Sequence, residues 1–176
     1  MQARRVTDEE AKAAFQDTYG RVMSVARVHD SLQQSHHPEM VDLGQTLRQL
    51  CGDLTTGMAD ARSPVEVDAE PGLMVPSRVA VALALIATEL VTNALKYAYP
   101  PGESGPIGVQ VRGGEDERLS LSVCDEGQGL PPDWDTRQRA SGGMGMRIVR
   151  AMLQQIGADM AVDPGRTPGT CFTVTA

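Results

Sequence analysis

Glu89, Asn93 and Lys96 recur at four- and three-residue steps in "ELVTNALKYAYP" (89–100). At about 100° per residue these side chains share one stripe of a helix. An amide oxygen is a good neutral ligand for Mg²⁺, which keeps several waters and takes other oxygens from phosphates. A neighbouring lysine suits phosphate as a point charge, and a carboxylate could orient or deprotonate an attacking nucleophile. The alternative is a polar helix end that breaks the surface. Upstream, the same stripe holds Ala82 and Leu85, so it turns polar only in its last two turns, as a site would. Leu83, Ile86, Leu90, Ala94 and Tyr97 fall on the neighbouring face and are expected to pack on a core.

Three other clusters could join it. In "DEGQGLP", Asp125 directly follows an apolar strand pattern. It could accept a hydrogen bond from an exocyclic amine such as that of adenine, with Gly127 and Gly129 letting backbone approach a flat ligand. An ordinary turn after a strand reads the same way. In "SGGMGMRIV", Gly142, Gly143 and Gly145 lead straight into a helix, whose free amides and positive dipole end would face an anion. No Lys-Ser/Thr pair follows, as a Walker A loop requires, and no strand runs into it, as a dinucleotide fingerprint requires. In "PGTCF", Gly169 and Thr170 turn into a final strand, and turn chemistry alone accounts for them.

The elements that must hold these residues alternate between helices and strands. A helical pattern over Thr7 to about Ser35 opens on the capping signature "TDEE" and carries Val22, Val25, Ala26, Val28 and Leu32 on one stripe. "SHHPEMVD" breaks it, and Asp42 then caps an amphipathic helix through Leu43, Leu47, Leu50 and Leu54. "VEVDAEPG" alternates like a short strand and ends in a turn. The Val79–Tyr97 helix follows and "PPGESGP" closes it. "IGVQVRG" and "RLSLSVCD" read as an antiparallel hairpin, and residues 126–143 as a mobile loop rich in Gly, Pro and charge. "MGMRIVRAMLQQIG" is a helix stopped by Gly157, and "ADMAVDPG" with "GTCFTVTA" forms a second hairpin. Helices among hairpins, instead of regular β-α-β units, imply an α+β fold: a two-layer α/β sandwich over 61–176, preceded by an α-helical segment over 1–60.

Bulk properties exclude several classes. The 176 residues carry a formal charge of −7, which argues against general nucleic-acid binding. Aromatic residues make up only 3%, so Val, Leu, Ile, Met and Ala must build the core. Cys51, Cys124 and Cys171 lack metal-ligand spacing and read as buried reduced thiols. The apolar run "VAVALALIA" is too short to span a bilayer, and "MQARRVTDEEAK" has no signal-peptide core. These features suit a cytoplasmic protein with no membrane segment.

Taken in order, the four clusters resemble the ATP-binding catalytic domain of sensor histidine kinases, within the GHKL ATPase superfamily. "ELVTNALKYAYP" is similar to the N box, "DEGQGLP" to the G1 box, "GGMGM" to the G2 box and "PGT" to the last glycine-bearing segment, with coverage from about residue 62 to 176. The resemblance implies ATP held between the N-box helix and a flexible lid, here roughly Pro131–Ser141. It also implies that Asn93 coordinates Mg²⁺ and that Glu89 is the acidic residue four before it. Lys96 and Tyr97 stand near the phosphates and nucleotide. Asp125, beside Gly127 and Gly129, would read adenine, and Gly143 and Gly145 would lie at the phosphates. The family's Phe-rich box between G1 and G2 is missing, since Phe15 and Phe172 are the only phenylalanines. Some subfamilies share that departure.

A histidine kinase also needs a phosphoacceptor histidine and a response regulator receiver domain as its partner. His29, His36 and His37 are the only histidines. "RVMSVARVHDSLQQS" looks like the second helix of a dimerisation hairpin, in a subfamily whose acceptor lies in an upstream "HRxKNNLQ"-like segment not found here. His29 shares a face with Val22, Val25, Ala26 and Leu32, as a packed interface histidine would. The expected role is therefore phosphoryl transfer from ATP to a histidine outside these residues, within a two-component phosphorelay, with a homodimer possible through the N-terminal helices. A serine kinase of the anti-sigma-factor type and a non-catalytic adaptor that docks a response regulator are the rival readings.

Overall fold

The computed structural model describes residues 18, 20–23, 25–26, 39–57, 63–114, 118–131, 134, 143–163 and 166–176. The elements are β1 (Met40–Asp42), α1 (Leu43–Gly57), β2 (Val65–Ala69), β3 (Met74–Pro76), α2 (Ser77–Tyr97), β4 (Ile107–Gly113), β5 (Leu119–Asp125), α3 (Met144–Ile156), β6 (Asp159–Val162) and β7 (Cys171–Thr175). Residues 20–23 and 25–26 are helical as well. The three histidines and most of the loop over 126–143 lie outside the described residues, as does the junction 58–62 near the expected domain boundary.

Local chemistry explains where the helices begin and end. Asp42 Oδ1 accepts the Gln45 amide at 2.9 Å, satisfying one of the orphan donors at the start of α1. Leu43, Leu47, Leu50 and Leu54 then present one buried face. Helix α2 ends at Ala98, whose amide donates to Ala94 at 2.9 Å, and Pro100 and Pro101 prevent it from continuing. Helix α3 buries Met146, Val149 and Leu153 and stops at Gly157, whose φ of 66° is left-handed backbone open to glycine.

The five-stranded sheet has the order β2-β4-β5-β7-β6. Its pleat sorts the side chains by face. Ile107, Val109, Val111, Leu119, Leu121, Val123, Asp125 and Val174 are buried, whereas Gly108, Gln110, Ser122 and Cys124 alternate with them and are more exposed. Helix α2 touches β4, β5, α1 and α3, so it forms the centre of the helical layer. At 21 residues α2 is long and apolar enough to cross a membrane by length and composition alone. Here Leu83, Ile86, Leu90 and Val91 are buried within the protein's own core.

Four sequence expectations need correction. Strand β2 pairs with β4 in parallel, so α2 sits inside a crossover between them and one β-α-β connection exists. Alternation marks a strand but does not reveal its partner. Strands β1 and β3 pair antiparallel as a small second sheet, although "SHHPEMVD" reads only as a break. Three-residue strands carry too little periodicity to be read. Tyr97 is 66% exposed instead of packing on the core, although Ala94 and Ala98 on either side of it are buried; its side chain lines the cavity described below. Finally, Cys124 and Cys171 occupy opposing positions on β5 and β7 and are joined by a disulfide. Cys51 does match the expected buried thiol, and burial pushes its pKa up to about 12.

Candidate functional site

One cavity of about 760 Å³ opens between the end of α2, the start of α3 and the ends of β5 and β7. That volume suits a nucleotide-sized ligand. Asp125 closes β5 on its inward face and is only 7% exposed. Its Oδ1 accepts the amides of Gly127 at 2.9 Å and Thr170 at 3.2 Å, which fixes the carboxylate plane. Asp125 in turn donates its amide to the Thr170 carbonyl at 2.8 Å. Both side-chain bonds go to Oδ1, so Oδ2 is the atom on offer to a donor in the cavity. Arg166 Nε donates to the Asp125 carbonyl at 3.2 Å and ties the incoming loop to the same point.

Two glycines make this closeness possible. Gly169 has φ +94°, and a Cβ there would overlap the Asp125 carbonyl. A Cβ on Gly127 would overlap the Ala98 carbonyl, so the turn after β5 lies directly on the end of α2. Gln128 fastens that contact: its amide donates to Ala98 at 2.8 Å and its side chain to the Tyr97 carbonyl at 2.9 Å. These are carbonyls that a helix end leaves without intrahelical partners. Tyr99 adds a second tie, donating to the Pro106 carbonyl at 2.8 Å and accepting the Glu126 amide at 3.1 Å. Burial is the leading cause of the upward shift of its phenol. The turn carrying Asp125 is thereby held against the helix carrying Asn93.

The opposite end of the cavity is built differently. Helix α3 starts after Gly143, and among the described residues this start has no side-chain cap and a Cβ on Gly143 would meet nothing within 4 Å. Gly143, Met144, Gly145 and Met146 line the cavity, so the N-terminal end of the α3 dipole lies beside it and favours an anion there. Asn93 and Lys96 line this space and are partly exposed. Glu89 is 6% exposed and sits against Gly145, whose missing side chain leaves room for the carboxylate.

Of the residues expected from sequence, Glu89, Asn93, Lys96, Tyr97, Asp125, Gly129, Gly143, Gly145 and Thr170 all line the cavity. Gly127 does not; its place is the contact with Ala98 behind Asp125. The structure adds residues that the sequence reading passed over. Trp134 packs on Phe172 with ring centroids 5.6 Å apart, and both line the cavity. A single tryptophan within a Gly- and Pro-rich loop was the available signal for the first. Arg21 also lines the cavity, from 68 residues before Glu89, and no local pattern points to it.

Among the described residues no group of three or more His, Cys, Asp or Glu could hold a metal ion. A divalent ion bound here would therefore depend on ligand oxygens. The partly exposed Asn93 amide fits Mg²⁺ on those terms, since this ion takes few protein ligands when phosphates supply the rest.

Residues 78–176 match the family model described as "Histidine kinase-, DNA gyrase B-, and HSP90-like ATPase", and residues 1–58 match one described as "Histidine kinase". The chain is 30% identical over 173 residues to the sensor histidine kinase PdtaS of Mycobacterium tuberculosis, covering 97% of this chain and 34% of that protein. It is 33% identical over 116 residues to the blue-light-activated histidine kinase 2 of Erythrobacter litoralis, covering 65% of this chain and 33% of that one. It thus spans about a third of the length of these relatives. Among solved structures, the histidine kinase domain of an Erythrobacter litoralis blue-light activated histidine kinase is similar, with TM-score 0.76 and 26% identity. That match covers 90% of this chain and 73% of the other.

Proposed function

The chain belongs to the histidine kinase-, DNA gyrase B- and HSP90-like ATPase family, and we propose that it transfers the γ-phosphoryl group of Mg²⁺-bound ATP to a histidine on a helical hairpin outside these residues. The observation that carries this reading is the convergence of Asn93, Asp125, Gly143 and Thr170, from four separate stretches of chain, on one cavity. The cavity divides into the two halves that a nucleoside triphosphate needs. Asp125 Oδ2 accepts the exocyclic amine of adenine, while Val123 and Phe172 supply apolar wall for the ring. The triphosphate runs toward the α3 N-terminus, where backbone amides and Lys96 neutralise charge. Asn93 holds Mg²⁺, which when bound offsets charge on the phosphate oxygens.

Transfer then requires alignment more than covalent help from the protein. The lone pair of an imidazole nitrogen forms the N–P bond. The bond from the γ-phosphorus to the β–γ bridging oxygen breaks, and ADP leaves with that electron pair. The proton on the other ring nitrogen passes to Glu89 as positive charge develops on the ring. The receiving partner downstream is a response regulator receiver domain, in a cytoplasmic two-component pathway. Homodimerisation through the N-terminal helices draws support from Val22 and Val25, which are 61% and 47% exposed.

Incubation with γ-labelled ATP and Mg²⁺, with and without an added histidine-bearing helical hairpin, tests the reading. Acid-labile label on the hairpin is the expected result. Acid-labile label on the chain itself would move the acceptor to His29. Acid-stable label on an added serine-bearing partner would favour the serine-kinase reading, and tight ATP binding without any transfer the adaptor.

A further inference from the structure

Arg21 lies far from the four motifs, yet it reaches the one carboxylate to which the mechanism assigns a proton. Its Nε donates to Glu89 Oε1 at 2.5 Å and its Nη2 donates to Oε2 at 3.2 Å. The two side chains are 23% and 8% exposed, so the pair is largely shielded from water. Two parallel N–H···O bonds between guanidinium and carboxylate form the strongest common geometry for such a pair. The backbone supports the contact. Gly20 is buried, and a Cβ there would stand 3.2 Å from Leu54 and 3.3 Å from Thr88. That proximity seats the N-terminal helical residues in the angle between α1 and α2, next to Glu89.

We propose that Arg21 occupies the seat of the acceptor histidine on Glu89 and keeps that carboxylate engaged until the acceptor displaces it; this rests on reading Glu89 as the group that takes the imidazole proton. An acceptor imidazole must present an N–H to the Glu89 carboxylate, and the Arg21 N–H groups already fill that role. The remaining approaches are narrow. Oε2 rests against Gly145 on the α3 side, where even a methyl group would overlap it, and Glu89 as a whole is 6% exposed. An incoming donor therefore has to replace Arg21 instead of binding beside it. Arg21 belongs to the segment that matches the histidine kinase model over residues 1–58, so the acceptor-side helices both carry this competitor and, on displacement, move it away. A shift of these helices thus couples directly to the state of Glu89.

The test compares Arg21→Ala and Arg21→Lys with the wild-type chain, all shown folded by thermal melting. Amide hydrogen exchange is measured over residues 20–26 and 86–93. Exchange about tenfold faster in Arg21→Ala, and an intermediate rate in Arg21→Lys, is expected; wild-type rates in both variants would overturn the inference. ADP formation is then followed while a histidine-bearing helical hairpin is titrated. A severalfold lower half-saturating hairpin concentration in Arg21→Ala is expected. A rise in that concentration, or a lower rate at every concentration, would overturn it and make Arg21 a residue that positions Glu89. No transfer by wild type and variants alike would count against the histidine-kinase reading instead, and the exchange rates alone would then decide whether Arg21 docks the helix.

Discussion

The two ends of the cavity differ in how much of their hydrogen bonding is already used. At the β5–β7 end, Asp125, Gly127, Gln128 and Thr170 are locked together through backbone amides and carbonyls. At the α3 end, Gly143 supplies no side-chain cap, and among the described residues nothing lies within 4 Å of where its Cβ would be. A rigid, water-poor end suits recognition of a flat ring by position, because each donor and acceptor is fixed before binding. A helix start without a side-chain cap among the described residues would suit a triphosphate that must enter, lose a phosphoryl group and leave. On the proposed reading, selectivity and turnover are built at opposite ends of one cleft.

Substitutions at the locked end should do the most damage. Asp125→Ala removes the acceptor for a ligand amine and also strands two backbone amides. A loss of about 3 kcal/mol, or ~100-fold in ATP affinity, is expected, with ATP and GTP then bound alike. Calorimetry with both nucleotides checks this; an unchanged preference would break the assignment of that end to the base. Gly169→Ala forces an L residue to φ +94° and into the Asp125 carbonyl. A destabilisation of about 2–3 kcal/mol, or a drop of roughly 5–10 °C in Tm, should follow.

Effects should shrink toward the open end. For Asn93→Ala, about tenfold weaker ATP binding in Mg²⁺ and little change in EDTA is expected, with unaltered circular dichroism, because one neutral ligand among phosphates and waters is lost. Equal affinity in Mg²⁺ would separate Asn93 from the metal. Gly143→Ala meets no atom within 4 Å and should shift Tm by less than about 2 °C, the direct counterpart to Gly169→Ala. The smallest effect expected at neutral pH concerns Cys51. Its raised pKa means that the folded state holds the thiol proton more tightly than the unfolded chain does. The associated stability is complete below the ordinary thiol value of 9.0 and is lost as pH rises toward about 12. Native protein at pH 8 should therefore resist iodoacetamide at Cys51, and denatured protein should react.

Legibility in sequence followed the length scale of each feature. The caps and stops were plain: Asp42 ahead of Leu43, Gly157 after Ile156, and the prolines after Tyr99 each act within a few residues. The alternation in "IGVQVRG" and "RLSLSVCD" revealed the hairpin, whereas the burial of Asp125 on its inward face came from the structure. The pairing of β2 with β4 was hidden, because a parallel partner across a long crossover leaves no local mark. The same holds for Cys124 and Cys171, which meet only through the register of β5 with β7. Tyr97 shows the limit of helical periodicity: the wheel places it on the face of Leu90 and Ala94, but it does not reveal that a cavity, and not core, meets that face at the helix end.

By itself the sequence determined which chemistry the protein could hold: an amide, a lysine and a carboxylate on one helical stripe, a strand-ending aspartate, and glycines at a helix start. These depend on residue type and on the short-range geometry of the backbone, which the chain carries wherever it is folded. Only the tertiary structure decided that the four clusters share a single cavity, that Gly127 serves the Ala98 contact instead of lining it, and that Arg21 reaches across 68 residues to Glu89. The physical reason is that hydrogen bonds and close packing between distant segments depend on where whole elements dock, and docking is settled by the shared core and not by any one stretch of chain.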